Sequence, residues 1–285
     1  MNYDLKNMDC VEGVSQMADC SVDMAVYSPP FADVFVYSDD IRDMGNCSSI
    51  AEFITHYSFL LKEMVRVMKP GRIVCVHCSD LPTSKFKDGF IGIRDFSGDL
   101  IKAHVEAGFT YHSRVTVWKN PVTEMQRTKA LGLLYKQLRK DSTRSRQGLS
   151  DYVLVFRAPG ENAIPVTHNA DEFDLDQWQS WASPVWMDIK QTNTLNVRHG
   201  SRDSNDERHV CPLQLDLIER CIRLWSNPGE LILSPFTGIG SEGYTAIKCQ
   251  RRFVGFELKP SYYKTAMANL ENAGAIGDLF LQESA

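Results

Sequence analysis

Strand-like and helix-like patterns of apolar positions alternate along this chain, each stretch short and bounded by turn residues. Residues 3–8 predict a short strand that ends at Asp9-Cys10, and a brief helix follows to Met17. Residues 22–27 form a largely apolar run and predict a buried strand. Ser49 opens a helix. Ser49-Ile-Ala-Glu52 makes a capping box, and Phe53, Tyr57, Leu60, Leu61, Met64, Val65 and Met68 share one face at helical spacing. Lys69-Pro70-Gly71 predicts its stop, and residues 72–77 the next buried strand. Residues 100–107 read as a helix closed by Gly108, and 109–118 as a long strand.

A helical period over 128–140 runs through Leu131, Leu134, Tyr135 and Leu138. Residues 141–150 are polar and 152–156 read as a strand. Residues 161–210 show little period, carry Trp178, Trp181 and Trp186, and predict an irregular insert. From Leu213 the pattern tightens into a helix to Trp225, a strand at 230–233, a glycine-rich turn, a helix, a strand at 252–256 and a last helix from Ser261. Strands alternating with helices predict an α/β protein whose mostly parallel sheet is covered on both faces. The polar stretch 32–47, which includes Tyr37, has no period and reads as a long loop of the kind that carries function.

Length and composition narrow the class. At 285 residues with 43% apolar content, the chain suits one large domain over residues 1–285. No apolar run approaches the roughly 18 residues that a membrane helix needs, and the first residues lack a signal-peptide pattern. The expectation is a soluble, cytoplasmic protein with no membrane partner. Eight scattered cysteines in apolar surroundings suit reduced, buried thiols. Cys75-Val-His-Cys78 is a single CxxC inside a strand-like run, weak grounds for a metal site, and none is expected. The net charge is −5, but residues 119–157 hold nine Lys/Arg against three Asp/Glu, leaving −11 on the rest. A basic block on an acidic body suits a surface that meets phosphate.

Two stretches carry candidate chemistry. Ser28-Pro29-Pro30-Phe31 follows the buried strand at 22–27. Paired prolines cannot continue a ladder, so they leave stiff carbonyl acceptors beside a hydroxyl and an aromatic face. That set suits a flat ligand with an amino group on its edge, although an isolated Pro-Pro is more often a plain turn. The second stretch, Ser234-Pro235-Phe236-Thr237-Gly238-Ile-Gly240, sits between a strand and a helix. Gly238, Gly240 and Gly243 fit G-x-G-x-x-G, and Glu257 closes the next strand 19 residues after Gly238. The glycines admit a ligand to the backbone, and the acid suits ribose hydroxyls. Either a nicotinamide dinucleotide or S-adenosylmethionine would fit. Only 42 residues follow Gly243, so the rest of the sheet must come from upstream and the fold is circularly permuted.

With the Ser-Pro-Pro-Phe motif upstream of the Ser-Pro-Phe-Thr-Gly-Ile-Gly motif, the chain resembles the permuted β class of DNA amino-methyltransferases over nearly its whole length. Asp9-Cys10 is similar to the family's acidic position facing the cofactor adenine. Lys69-Pro70-Gly71, Val115 to Lys119, His209 to Gln214 and Phe253 to Glu257 are similar to further segments in the family's order. Ser234 stands where the family usually has Asp, and Ser28 where Asp is common.

The resemblance implies a Rossmann-like fold with a mostly parallel seven-stranded sheet, helices on both faces, and a target-recognition region within 120–210. It implies S-adenosylmethionine as cofactor, held by Asp9, Cys10, Pro212, Leu213, Ser234, Pro235, Phe236, Thr237, Gly238, Gly240 and Glu257. Ser28, Pro29, Pro30 and Phe31 become the catalytic set, acting on an exocyclic amine of a flipped base. N6 of adenine is slightly favoured over N4 of cytosine, because the Thr that usually precedes the Ser form in cytosine enzymes is Tyr27 here. Cytosine C5 chemistry would need a Pro-Cys pair, which the chain lacks. Double-stranded DNA is the expected partner, with Lys119, Arg139, Lys140, Arg144 and Arg146 as candidate contacts. A homodimer fits the family's dimers, while no motif identifies a restriction endonuclease partner. Rival readings are a permuted methyltransferase acting on RNA or protein, and a non-catalytic nucleic-acid-binding relative.

Overall fold

The computed structural model of the chain describes residues 2–31, 40, 42–83, 85–128, 135–144, 146–168, 173–195 and 212–283. Strand β1 (Tyr3–Lys6) leads to helix α1 (Cys10–Ser15), which starts where Asp9 accepts hydrogen bonds from the Val11 and Glu12 amides. Strand β2 (Val22–Tyr27) is buried on both faces, as its apolar run predicts. Helix α2 (Ile50–Val67) is capped by Ser49, whose hydroxyl accepts from the Glu52 amide. Phe53, Tyr57, Leu60, Leu61 and Met64 are fully buried along it, each worth about 1.5–3 kcal/mol over exposure.

Strand β3 (Met68–Ser79) differs from expectation at its start. Helix α2 ends at Val67, and Met68 is already extended, so Lys69-Pro70-Gly71 lies inside the strand. The pairing with β2 jumps from Val22↔Met68 to Met24↔Ile73, and that irregularity absorbs the proline and the glycine. Gly71 takes a φ of +68, and a Cβ there would meet the Asn162 amide nitrogen at 2.4 Å. A glycine is therefore required, but as a bulge rather than a helix stop.

A small hairpin of β4 (Leu81–Pro82) and β5 (Ile93–Arg94) encloses the four-residue helix α3 (Lys85–Asp88). Helix α4 (Phe96–Ala107) ends at Gly108, whose φ of 112 is left-handed. Strand β6 (Thr110–Val117) precedes α5 (Pro121–Thr128) and the short α6 (Tyr135–Leu138). Of the helix expected over 128–140, Thr128 ends α5 and 135–138 form α6, while 129–134 lie outside the described residues. Strand β7 (Asp151–Arg157) returns antiparallel between β3 and β6. The segment expected to be irregular, 161–210, contains helix α7 (Leu175–Trp181) and the two-residue strand β8 (Val185–Trp186), too short to register as periods. Helix α8 (Leu215–Trp225), β9 (Leu231–Ser234), α9 (Ser241–Lys248), β10 (Arg252–Phe256) and α10 (Pro260–Glu283) complete the chain.

The sheet runs β1-β10-β9-β2-β3-β7-β6-β8, antiparallel only where β7 meets β3 and β6. Seven strands form its body, and β8 adds a short eighth at the β6 edge. Helices α1, α2 and α4 share one core layer with the sheet, and α8, α9 and α10 the other. The three tryptophans of the insert are explained in part by Arg220 of α8. Its guanidinium is buried between the Trp181 and Trp186 rings, 5.0 and 4.9 Å from their centroids, and forks onto Asp188 at 3.0 and 2.9 Å. A cation between two rings and a carboxylate ties β8 to the helix layer.

Strands β2 and β9 are parallel neighbours, pairing Met24 with Ile232 and Ala25 with Leu233. From β9 the chain continues to β10 on one side of this pair, and from β2 to β3 on the other. The sheet therefore has its topological switch point between them, and ligands of open α/β sheets bind outside the carboxyl ends there.

Candidate active site

The Ser-Pro-Pro-Phe motif and the glycine-rich turn leave the carboxyl ends of these two adjacent strands. Residues two hundred positions apart in sequence become neighbours: the Tyr27 and Phe236 ring centroids are 5.9 Å apart. Phe31 is half-buried, with its ring 5.9 Å from Phe96, which in turn lies against Phe53. One edge of the Phe31 ring is thus buttressed by core aromatics. Tyr27 itself points into the core. Its hydroxyl is 2.8 Å from that of Tyr57 and 3.3 Å from His104 Nε2, and burial pushes its ionisation well up. His104 lies flat against Phe156 at 3.9 Å, and burial pulls its pKa down to about 4, so it is neutral at pH 7.

Ser28 does not stand alone. Its Oγ is 3.2 Å from Nδ1 of His77, a residue of β3. The other ring nitrogen of His77 is 3.3 Å from Oδ2 of Asp151, at the start of β7. Lys119 places its Nζ 2.5 Å from Oδ1 of the same carboxylate and 3.9 Å from Glu124. Burial alone would raise the Asp151 carboxyl, but His77 and Lys119 bring it down to about 2. Lys119, a candidate DNA contact, thus sits at the Asp151 carboxylate. Only 15% of its side chain is exposed, and its charge is spent on the Asp151 carboxylate inside the protein.

The cysteines flanking His77 separate to the two cores, Cys75 against the α8 side and Cys78 against the α2 side, as three positions along a strand require. No cluster of three or more potential metal ligands occurs among the described residues.

The glycine-rich turn is built to receive a ligand. Gly238 has a φ of +56, and a Cβ there would enter open space. The Gly238 amide donates to Glu257 Oε2 at 2.8 Å, and the Lys259 amide to Oε1 at 2.9 Å. Thr237 joins the turn to β10 by donating its amide to the Phe256 carbonyl, and its hydroxyl donates to the Ser234 carbonyl. Gly240, φ +93, caps α9, and Asn269 of α10 secures the turn by donating to the Ile239 carbonyl at 2.8 Å. Burial pushes Glu257 up to about 7. Glu242, in the first turn of α9, is also buried; desolvation, aided by the charge of Glu257, pushes it up to about 8. Asn269 and Glu242 are not evident from the motif, although Glu242 lies within its Gly-Ser-Glu-Gly span.

On the cofactor side, Ser234 Oγ at the end of β9 and Gln214 Oε1 at the start of α8 are buried without a hydrogen-bond partner. A ligand with amino and carboxylate groups would satisfy both. Pro212 and Leu213 precede Gln214, with Leu213 buried in the core; the preceding His209 to Cys211 lie outside the described residues. Pro235 is buried, and the half-buried Phe236 lies 6.4 Å from the Tyr57 ring in a stacked arrangement. Asp9 uses Oδ1 to cap α1, and Cys10 is buried, its thiol pushed up by desolvation and by Asp9. The donor set, orphaned atoms and open glycine fit S-adenosylmethionine.

Among the candidate DNA contacts, Arg139 and Lys140 are exposed just beyond α6, and Arg139 lies over the Tyr135 ring. Arg146 donates to the Gln147 carbonyl, and burial lowers its pKa. Arg144 falls in a short 3-10 turn, and Tyr37 lies outside the described residues.

Comparison with known proteins agrees with this geometry. A family model described as DNA methylase, covering the N6 and N4 types, matches residues 22–268. The type II methyltransferase M1.MboII of Moraxella bovis is 23% identical over 92% of this chain and 94% of its own length. M.BglI of Bacillus subtilis is 29% identical over 42% of this chain, but the match spans only 30% of that protein. Among solved structures, one from Thermus thermophilus assigned as a DNA modification methylase superposes with a TM-score of 0.69, at 20% identity and 95% coverage of both chains. The cytosine-N4-specific PvuII DNA methyltransferase gives a TM-score of 0.63 at 16% identity, covering 99% of this chain and 93% of that one. No described helix is long and apolar enough to cross a membrane. With that family model matching most of its length, and with the Ser-Pro-Pro-Phe motif and the glycine-rich turn meeting at the switch point of its sheet, the chain belongs to the N6/N4 DNA methylase family.

Proposed function

We propose that this protein transfers the methyl group of S-adenosylmethionine to the exocyclic amine of a base turned out of duplex DNA, with N6 of adenine the favoured target. The observation that carries this reading is the adjacency of Ser28-Pro29-Pro30-Phe31 and the Ser234–Gly240 turn across the β2/β9 pair. When bound, S-adenosylmethionine supplies a methyl carbon activated by its sulfonium. Glu257 would accept from the ribose hydroxyls, Gly238 and Gly240 would let the backbone approach, and Ser234 and Gln214 would meet the methionine end.

An exocyclic amine is a poor nucleophile because its lone pair is delocalised into the ring. Acceptors on both of its N–H bonds favour a pyramidal nitrogen with the lone pair free to react. Ser28 Oγ and the Pro29 carbonyl are those acceptors, so they act by orientation and by stabilising the developing positive charge. Phe31 offers a face on which the flipped base stacks, offsetting roughly 1–3 kcal/mol of the cost of unstacking. Tyr27 is engaged with Tyr57 in the core, so the residue that distinguishes this motif from the Thr-bearing cytosine form does not meet the base.

A specific observation keeps N4-cytosine as the second reading: the motif begins with Ser, and the cytosine-N4-specific PvuII enzyme shares the fold. The deciding experiment supplies labelled S-adenosylmethionine and unmethylated genomic duplex DNA, then digests the DNA to nucleosides. Label in N6-methyladenine is expected. N4-methylcytosine would move the target to the second reading, and unlabelled DNA would overturn the function. Phe31→Ala is expected to slow turnover roughly 5- to 100-fold by removing the stacking face, with cofactor affinity retained.

Arg139, Lys140, Arg144 and Arg146 are proposed to contact phosphate within a target-recognition region in 120–210. Their alanine variants should weaken binding on all DNA sequences and flatten the salt dependence, by about one unit of log-log slope per contact removed. An unchanged slope would remove them from the interface. A homodimer is proposed from the family resemblance, and sedimentation at working concentration tests it.

A further inference from the structure

We propose that His77, braced by Asp151 and Lys119, is a positioning residue for Ser28 and the group that receives the proton released by amine methylation. The proposal rests on the site reading above and deepens it.

Three strands converge on this arrangement. Ser28 follows β2, His77 lies near the end of β3, and Asp151 begins the antiparallel β7, so their side chains meet at the carboxyl end of β2 and β3. The register pairs His77 with Val153 and Ser79 with Asp151, two residues along on the same face. Nε2 of His77 lies 3.3 Å from Oδ2 of the buried Asp151 carboxylate, outside hydrogen-bond geometry, and the negative charge beside it favours the ring hydrogen on Nε2. Nδ1 is then a lone pair 3.2 Å from Ser28 Oγ, and the Ser28 hydroxyl donates to it. That choice has a consequence for the substrate. With its hydrogen committed to His77, Ser28 can only present lone pairs to the incoming amine, the role the chemistry needs.

The proton also has somewhere to go. As the amine nitrogen forms its bond to the methyl carbon, the carbon–sulfur pair stays with sulfur and the nitrogen becomes positively charged. It must shed one proton to give the neutral methylamine. That proton passes to Ser28 Oγ while the hydroxyl proton of Ser28 passes to His77 Nδ1. The imidazolium so formed lies beside the Asp151 carboxylate and is returned to neutrality by solvent after product leaves. Lys119, with Glu124 3.9 Å behind it, keeps Asp151 ionised throughout. A water-filled site could take the proton directly, but His77 and Asp151 are both largely buried, and an interior base has no other evident use there.

Single-turnover methylation of unmethylated genomic duplex DNA tests the assignment. His77→Ala is expected to slow transfer roughly 100-fold, with the dissociation constants for S-adenosylmethionine and DNA within twofold of the parent. Added imidazole should restore at least a tenth of the lost rate. His77→Gln, which can accept from Ser28 but cannot take a proton, guards against a folding artefact and should be slow with cofactor binding intact. A readout independent of turnover is the ¹⁵N spectrum of the histidine rings, in which His77 should be the Nε2–H form and should shift in Ser28→Ala. A rate within threefold of the parent in either His77 variant, failure of imidazole to restore any rate, or a proton on Nδ1 would overturn the proposal. Ser28→Ala separates the two levels: if it is slow while the His77 variants are fast, only the relay falls. If Ser28→Ala is itself as fast as the parent, the site reading falls with it.

Discussion

Replacement of Asp23 by alanine is expected to cost about 3–5 kcal/mol of folding stability, the range for breaking a buried ion pair from one side. Asp23 is the one charged residue in the otherwise apolar run of β2, and it is 2% exposed. Its carboxylate accepts from Lys69 Nζ at 2.5 Å, from Arg72 at 3.1 Å and from the Leu231 amide at 2.9 Å. Those partners belong to β3 and β9, so one side chain ties the three central strands together at the end opposite the site. Arg72, also 2% exposed, reaches on to Glu230. Without Asp23 the guanidinium keeps one carboxylate where it had two, and the Leu231 amide loses its acceptor. Urea denaturation of Asp23→Ala measures the loss, and Asp23→Ala with Arg72→Met should recover part of it, because no buried cation is then left short of a partner. Burial pushes the Asp23 carboxyl up, but the Leu231 amide, Lys69 and Arg72 together bring it below its ordinary value. A carboxylate depressed in the folded state stabilises above its unfolded pKa of about 4 and loses that contribution as pH falls further. The parent should therefore show a larger acid limb in stability than Asp23→Ala, in which Asp151 and the other depressed carboxyls remain. An Asp23→Ala protein as stable as the parent would show that the cluster merely breaks even.

Glu257→Ala is expected to weaken S-adenosylmethionine by at least about 100-fold, since two hydrogen bonds from ribose hydroxyls to a carboxylate are each worth roughly 1.5–3 kcal/mol. The same side chain accepts from the Gly238 and Lys259 amides, so its removal also loosens the turn that the cofactor must meet. Because burial lifts Glu257 to about 7, the carboxyl is largely protonated below that pH and a poorer acceptor. Cofactor affinity should rise as pH increases from 6 to 8 in the parent and stay flat in Glu257→Gln, as titration calorimetry can show. The sign for the cofactor-free fold is opposite. A carboxyl whose folded pKa is raised stabilises below its unfolded value and loses that contribution as pH rises through 7. Cofactor affinity in Glu257→Ala within threefold of the parent would remove the ribose role.

Much of the site is legible because it is local. Pro29-Pro30 and the Gly238–Gly240 turn act through backbone constraints that adjacent residues impose, and Ser49 and Glu52 cap a helix by the same logic. Glu257 could be placed from its 19-residue distance to Gly238, since one turn, one helix and one strand fill that interval. The Lys69-Pro70-Gly71 stretch shows the limit of such reasoning. It suits a helix stop equally well as a bulge, and the Asn162 backbone that demands a glycine there is ninety residues away. Lys119 belongs to the basic block in sequence, and its carboxylate partner, Asp151, arrives on another strand.

Local pattern and spacing by themselves determined the alternation of strands and helices, the two motifs and their permuted order, and hence the class of chemistry. Tertiary structure alone decided that Ser28 and Ser234 leave neighbouring strands, that His77 rather than its flanking cysteines faces the site, and that Asp151 and Lys119 stand behind it. The physical reason is that a strand's side chains alternate between faces at fixed spacing, whereas which strand lies beside it depends on burying both core layers at once.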